Sequence, residues 1–277
     1  MFCDLHTHSR FSDGSETPEA LVEMAEKMGL KAIALTDHNT VAGLPTFVEA
    51  AWGRGVEPVP GCEFSTDYNG KELHILGLFI DPVHYATVTG LLEEAQQEKE
   101  RSSQNLVEAL VKAGYDLDYG AICRKTDGQI NRAHVAAALM EGGYVSSVQE
   151  AFKTLLGTEH GYYVPPKRIS AYDCIGFIKS IGAVAVLAHP FLDLDEAGLR
   201  AFLPAAVEAG LDGMEAAYSK YTPETTATAM AIVKEFGILP SGGSDYHGYN
   251  KPDIALGTGR GNLQIPYDWL EDLKRRI

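Results

Sequence analysis

Apolar spacing switches repeatedly between strand and helix periods along the first fifty residues. Cys3 to His8 is a short strand-like run. Thr17-Pro18-Glu19 then supplies an N-cap, a proline at the first helical position and an early acid, and Leu21, Val22, Ala25 and Met28 continue on one helical face until Gly29. Lys31 to Thr36 is an apolar strand ending at Asp37-His38, and a second helix runs from about Leu44 to Ala51. This βαβα opening predicts a parallel sheet covered by helices. Two strand-like runs follow, Glu57 to Thr66 and Glu72 to Phe79, joined through the hairpin dipeptide Asn69-Gly70, which brings Glu63 near His74.

From about His84 to Gly157 the pattern is helical, with Leu91, Leu92 and Ala95, then Leu106 and Leu110, then Val135, Ala138 and Leu139, and no clear strand. Alternation then resumes. Helices are predicted over 171–180, 196–209 and 224–236, and strands over 183–188, 213–217 and 238–241. The chain thus divides into an N-terminal barrel part, 1–83, a helical insertion covering the active site, 84–160, and a C-terminal barrel part, 161–277. The fold class is α/β.

Composition narrows the chemistry. The chain has 277 residues, 45% of them apolar, enough for a large core. A formal charge of −15 opposes long nucleic acid, because nonspecific affinity for polyphosphate comes from lysine and arginine releasing counterions. A small phosphorylated substrate stays compatible, since bound divalent cations reverse the field inside one cleft. The four cysteines, Cys3, Cys62, Cys123 and Cys174, form no Cys-x-x-Cys pair, which argues for a reducing, cytoplasmic setting; Cys3 and Cys62 read as small apolar fillers. No stretch approaches the roughly 20 apolar residues of a membrane span.

Seven of nine histidines fall at strand ends or in polar loops: His6, His8, His38, His74, His134, His189 and His247. On a strand, His6 and His8 point to the same face and can share one ion. In a barrel of parallel strands, residues closing successive strands converge on the carboxyl-end rim. His6/His8, Asp37/His38, Glu63, His189, Glu215 and Asp245/His247 are all read as strand-closing, which predicts a polynuclear centre of zinc, manganese or iron. Asp13, Glu63 and Asp245 are the carboxylates suited to bridging cations. Asp37 is read as a group behind the ligands that orients an imidazole through its other ring nitrogen. Arg124, Lys125, Arg132 and His134 concentrate basic character in the insertion, while Arg124, Lys125, Lys167 and Arg168 could line a local basic groove. His84 and His160 carry no expected role.

Together His6-Thr7-His8, Ser12-Asp13-Gly14, Thr36-Asp37-His38, Gly61-Cys62-Glu63, His74, His189-Pro190 and Gly243-Ser244-Asp245-x-His247 resemble the PHP (polymerase and histidinol phosphatase) family of phosphoesterases. The resemblance implies a distorted (β/α)7 TIM-like barrel holding three divalent ions, chiefly manganese, with zinc and iron as variants. It implies the ligands His6, His8, Asp13, His38, Glu63, His74, His189, Asp245 and His247. Arg132-Ala133-His134 matches an Arg-x-His element of the stand-alone bacterial branch with a helical insertion. That branch removes the 3′-phosphate from nucleoside 3′,5′-bisphosphates, and some members trim short RNA from its 5′ end. Arg132, His134 and Ser12 become candidate phosphate contacts.

The expected reaction is attack on a phosphate monoester by a metal-bridging hydroxide, with Glu63 and Asp245 essential and His189 a candidate leaving-group acid. Histidinol phosphate is the weaker alternative substrate. An amidohydrolase-type C–N hydrolase is disfavoured because the corresponding mid-chain element offers Glu63 and no lysine. A non-catalytic, metal-stabilised module is disfavoured because the ligand motifs are intact.

Overall fold

The computed structural model describes residues 1–124, 130 and 132–277. Two compact units emerge, one formed by Met1–Gly90 with Ile169–Ile277 and the other by Leu91–Arg168. The first begins with β1 (Phe2–Asp4), α1 (Pro18–Met28), β2 (Ala32–Leu35), α2 (Leu44–Ala50), β3 (Glu57–Tyr68) and β4 (Lys71–Leu78). The helical segment follows as α3 (Tyr85–Lys112), α4 (Tyr119–Arg124), α5 (Arg132–Glu141) and α6 (Val148–Thr154). The chain then returns through α7 (Ala171–Ser180), β5 (Val184–Leu187), α8 (Glu196–Glu208), β6 (Gly213–Tyr218), α9 (Pro223–Phe236), β7 (Leu239–Gly243), β8 (Ile265–Pro266) and α10 (Tyr267–Lys274).

Local chemistry accounts for these limits. The Thr17 side chain accepts from the Ala20 amide, Pro18 occupies the first turn, and Gly29 ends α1 at φ 73°, a left-handed angle that costs glycine little. The Asn69-Gly70 turn takes φ of 54° and 79°, the positive pair required by a tight hairpin whose twist matches its strands.

All eight strands belong to one sheet ordered β7-β6-β5-β4-β3-β2-β1-β8. The barrel closes just beyond β1 and β7, where the Leu5 amide donates to Gly242 O at 3.3 Å and the Asp245 amide to His6 O at 2.9 Å. Close approach explains the glycine before Ser244: a Cβ on Gly243 would stand 2.3 Å from the His6 Cβ. β4 runs antiparallel to both neighbours and β8 antiparallel to β1, which distorts the expected succession of parallel strands. The Asn69-Gly70 turn is the cause, since it returns the chain at once instead of through a crossover helix.

The barrel interior is filled by Leu5, Ala34, Val59, Leu76, Leu78, Val184 and Val186, all fully buried. The helical unit has its own core, built on Leu106, Leu110, Val135, Ala136, Leu139 and Leu156. Cys3, Cys62 and Cys174 are buried free thiols, and burial pushes the Cys62 thiol well above its ordinary range, as inert packing groups require. Among the described residues, no helix is long and apolar enough to cross a membrane.

Candidate metal centre

Glu63 is the centre of the site. Its side chain is fully buried, and five imidazoles face its two oxygens. His6 Nε2 and His8 Nε2 each lie 3.1 Å from Oε2 and His38 Nδ1 lies 3.2 Å from it. On the other oxygen, His74 Nδ1 stands 2.7 Å and His189 Nε2 3.0 Å from Oε1. The five rings are not all charged, since burial brings the His38 imidazole down to about 4 despite the charge of Glu63. Burial pushes the Glu63 carboxyl up, yet the charges of His6, His74 and His38 and the contact from His189 hold it well below the usual range.

Each partner arrives by a different route. His6 and His8 follow β1 in the extended segment that meets β7, and their rings lie 5.0 Å apart. His38 follows β2, in a parallel bridge with Glu63. Glu63 does not close a strand as the sequence pattern suggested. It lies inside β3, just past Pro60, the last residue of β3 paired with β2, because the hairpin carries β3 and β4 onward together. Ser65 pairs with His74, so His74 reaches Glu63 diagonally along one face. Glu215 likewise sits within β6 and does not close it.

Asp245 and His247 complete the other side. Asp245 Oδ1 lies 3.3 Å from His8 Nε2 and 3.8 Å from His6 Nε2. Burial raises the Asp245 carboxyl, but the contact with His8 and the charge of His6 bring it well below its ordinary range. His247 Nε2 lies 3.1 Å from Asp13 Oδ1, which also faces His8 Nδ1 at 3.8 Å. All nine predicted ligands therefore converge in four overlapping groups: His8, Asp13, His38 and His247; His6, Glu63 and His189; His6, His8 and Asp245; and His38, Glu63 and His74.

Tautomers aim the nitrogens inward. Glu215 Oε1 accepts from His6 Nδ1 at 3.0 Å, and the Asp245 carbonyl accepts from His247 Nδ1 at 2.9 Å. A carboxylate or carbonyl only accepts, so in the neutral rings each Nε2 carries a lone pair directed at the cluster. Buried ring nitrogens without a hydrogen bond include both of His8, Nδ1 of His189 and Nε2 of His247. Buried ring nitrogens left without partners beside carboxylates form a donor set that fits divalent cations.

Two of these positions hold unusual backbone. His189 has φ 28° and Asp245 φ 57°, left-handed angles disfavoured for their side chains and worth about 1–3 kcal/mol each. The His189 amide donates to Glu215 Oε2 at 2.6 Å, and the Asp245 amide is held by His6 O. Glu215 thus fixes both His6 and His189. Replacing it with glutamine should weaken metal affinity about 10–100-fold, as loss of an orienting partner does, with little change in folded content. Metal titration followed by calorimetry checks this; unchanged affinity would remove Glu215 from the account.

The remaining predicted residues fall differently. Asp37 meets no imidazole through a hydrogen bond: its carboxylate accepts from the Ser9 amide and hydroxyl and from the Ser12 hydroxyl, each at 2.7 Å. It braces the loop that carries Asp13. The Ser12 hydroxyl also lies 3.4 Å from Asp13 Oδ1. Arg132 lies in the helical unit, its guanidinium 4.3 Å from the Tyr163 ring centre and 5.4 Å from that of Phe152, and His134 is on the same helix, α5. Arg124 faces Asp118 at 3.7 Å, and Lys125 lies outside the described residues. His84 and His160 join none of the four ligand groups.

Four further residues support the site. Asp4 is fully buried and accepts from the Ser244 amide and hydroxyl and from the Gly257 amide, tying β1 to the loop bearing Asp245. Tyr218 donates to Asp245 Oδ2 at 2.7 Å, Lys251 reaches the same oxygen at 2.8 Å, and Lys220 lines the cleft with them. An acid inside an apolar strand, as in Phe2-Cys3-Asp4-Leu5, is the one available signal. Nothing in the local sequence marks Tyr218 or the lysines.

A closed, mixed barrel with a histidine and carboxylate centre at one rim is the arrangement of a metal-dependent hydrolase. The PHP domain matches residues 4–164, and the chain belongs to that family. It is 34% identical over 245 residues to a 5′-3′ exoribonuclease of Haemophilus influenzae, covering 88% of this chain and 89% of that one. It is 31% identical over 247 residues to a 3′,5′-nucleoside bisphosphate phosphatase of Chromobacterium violaceum, covering 88% and 86%. A metal-dependent phosphoesterase structure from Bifidobacterium adolescentis superposes with a TM-score of 0.72 at 29% identity, covering 99% and 96%. The protein is a metal-dependent phosphoesterase, a hydrolase of phosphoester bonds.

Proposed function

We propose that the chain removes the 3′-phosphate from nucleoside 3′,5′-bisphosphates in the cytoplasm, using three divalent ions, with manganese as the native metal. The observation that carries this reading is Glu63, one buried carboxylate surrounded by five imidazoles beside a cleft of about 380 Å³, the scale of a small ligand. The nine residues would hold the ions, which would supply a nucleophile at neutral pH and offset phosphoryl charge. Glu63 sits between His6, His8 and His38 on one oxygen and His74 and His189 on the other, so both of its oxygens would be available as ligands. Tyr218 and Lys251 hold the outer oxygen of Asp245, leaving Oδ1 turned inward. His189 lines the cleft and is the proposed group nearest the leaving oxygen. Arg132, His134 and Ser12 remain proposed phosphate contacts.

A second reading, 5′-3′ trimming of short RNA, draws on the likeness to the Haemophilus influenzae exoribonuclease. Phosphate release with manganese should be measured on adenosine 3′,5′-bisphosphate, AMP and histidinol phosphate, beside degradation of a short 5′-phosphorylated RNA. The bisphosphate is expected to exceed the two monophosphates by at least about tenfold in kcat/KM, a difference of about 1.4 kcal/mol. Rapid RNA trimming with negligible bisphosphate turnover would replace the first reading with the second.

A further inference from the structure

The cleft beside Glu63 is electrically uneven. Its wall includes Glu72 of β4 and Asp193, which follows β5, and it also includes Lys220, which follows β6, and Lys251, in the loop after β7. Strand order places β4 and β5 together and β6 and β7 together, so Glu72 and Asp193 arise from one sector of the rim and both lysines from the other, where Asp245 also lines the cleft and pairs with Lys251. Such a gradient orients a charged ligand, attracting an anion toward the β6–β7 sector and repelling it from the β4–β5 sector.

The lysines differ in their commitments. Lys251 Nζ is fixed by Asp245 Oδ2 at 2.8 Å, with its side chain about one-third exposed. Lys220 is exposed on the segment between Tyr218 and Tyr221 and lines the same cavity. In a chain with 38 acidic and 23 basic residues, two lysines line one small cleft, Lys251 held by Asp245 and Lys220 exposed, so an anion in the cleft meets cationic charge beside the candidate metal ligands. Lysine suits a phosphoryl group as a mobile point charge with three donors.

We propose that Lys220 and Lys251 form a second anion subsite, which takes the phosphoryl group that is not cleaved. The inference deepens the bisphosphate reading and rests on it. The substrate class becomes a small ester with two separated phosphoryl groups, one presented to the metal ligands and one to the lysines. Specificity then comes from charge at a distance from the scissile bond, and a monophosphate loses that contact.

Lys220 is the cleaner position to change, because Lys251 also touches Asp245. In the manganese-loaded protein, Lys220→Met should lower the ratio of kcat/KM for adenosine 3′,5′-bisphosphate over adenosine 3′-monophosphate about fivefold, chiefly through KM, and Lys220→Glu should lower it further. Lys220→Arg should restore most of the ratio. By calorimetry, 5′-AMP should bind about fivefold more weakly to Lys220→Met than to wild type, while adenosine binds both alike. An unaltered ratio and unaltered 5′-AMP affinity in both Lys220→Met and Lys220→Glu would overturn the subsite. Failure of wild type to release phosphate from the bisphosphate would instead overturn the functional reading on which it rests.

Discussion

Replacing Glu63 with glutamine is expected to lower kcat/KM for phosphate release by at least about 10³-fold, beyond the loss of a single transition-state hydrogen bond. The substitution keeps the side chain's volume and removes its charge, so a packing defect does not explain the loss. It removes the anion facing His6, His8 and His38 at one oxygen and His74 and His189 at the other. Bound metal should fall in parallel, read by elemental analysis after desalting. Full activity with unchanged metal content would show that Glu63 is not the junction of the site.

Removal of metal is expected to have the second largest effect, on stability as well as turnover. Without cations, His8, His189 and His247 keep buried ring nitrogens that lack hydrogen bonds. An ion that binds the folded chain and not the unfolded one stabilises it by about 2.7 kcal/mol at 100 times its dissociation constant. For a chain of this size that is on the order of a 5 °C rise in Tm. Thermal scans of chelated protein with and without added manganese check the shift, and magnesium-free buffer keeps the comparison to one ion. No change in Tm at saturating metal would mean that the cluster is satisfied without ions.

That the nine candidate residues would come together was legible in the sequence, and for a physical reason. Barrel strands deliver their following residues to one rim, so His6, His38, His189 and Asp245 share a location that needs no knowledge of loop conformation. The hairpin was legible through Asn69-Gly70, but its consequence was not. Because β3 and β4 continue past the end of β2, Glu63 and His74 reach the centre from within strands and not from their ends.

Asp37 illustrates a different limit. Its place before His38 suggested contact with an imidazole, whereas the fold brings Ser9 and Ser12 to it from another loop. Pairings of that kind depend on side-chain direction across elements, which strand and helix periods do not encode. Lys220, Lys251 and Tyr218 escaped for the same reason. A lysine in a polar loop reads as solvated charge until the fold shows that Lys251 reaches Asp245 at 2.8 Å. The helical segment was legible as helices with their own apolar faces, and the division near Gly90 and Arg168 falls inside α3 and just before α7.

The expectation that matters most is that Glu63 and the eight other candidate ligands hold the divalent ions on which hydrolysis depends. Its most direct test is a manganese titration of fully chelated protein, with bound metal and phosphate release from adenosine 3′,5′-bisphosphate measured in the same samples. No release is expected from the chelated chain, and release should rise as the ions bind, reaching its plateau at three per chain. Undiminished release from chelated protein, or none from protein carrying three ions, would contradict it.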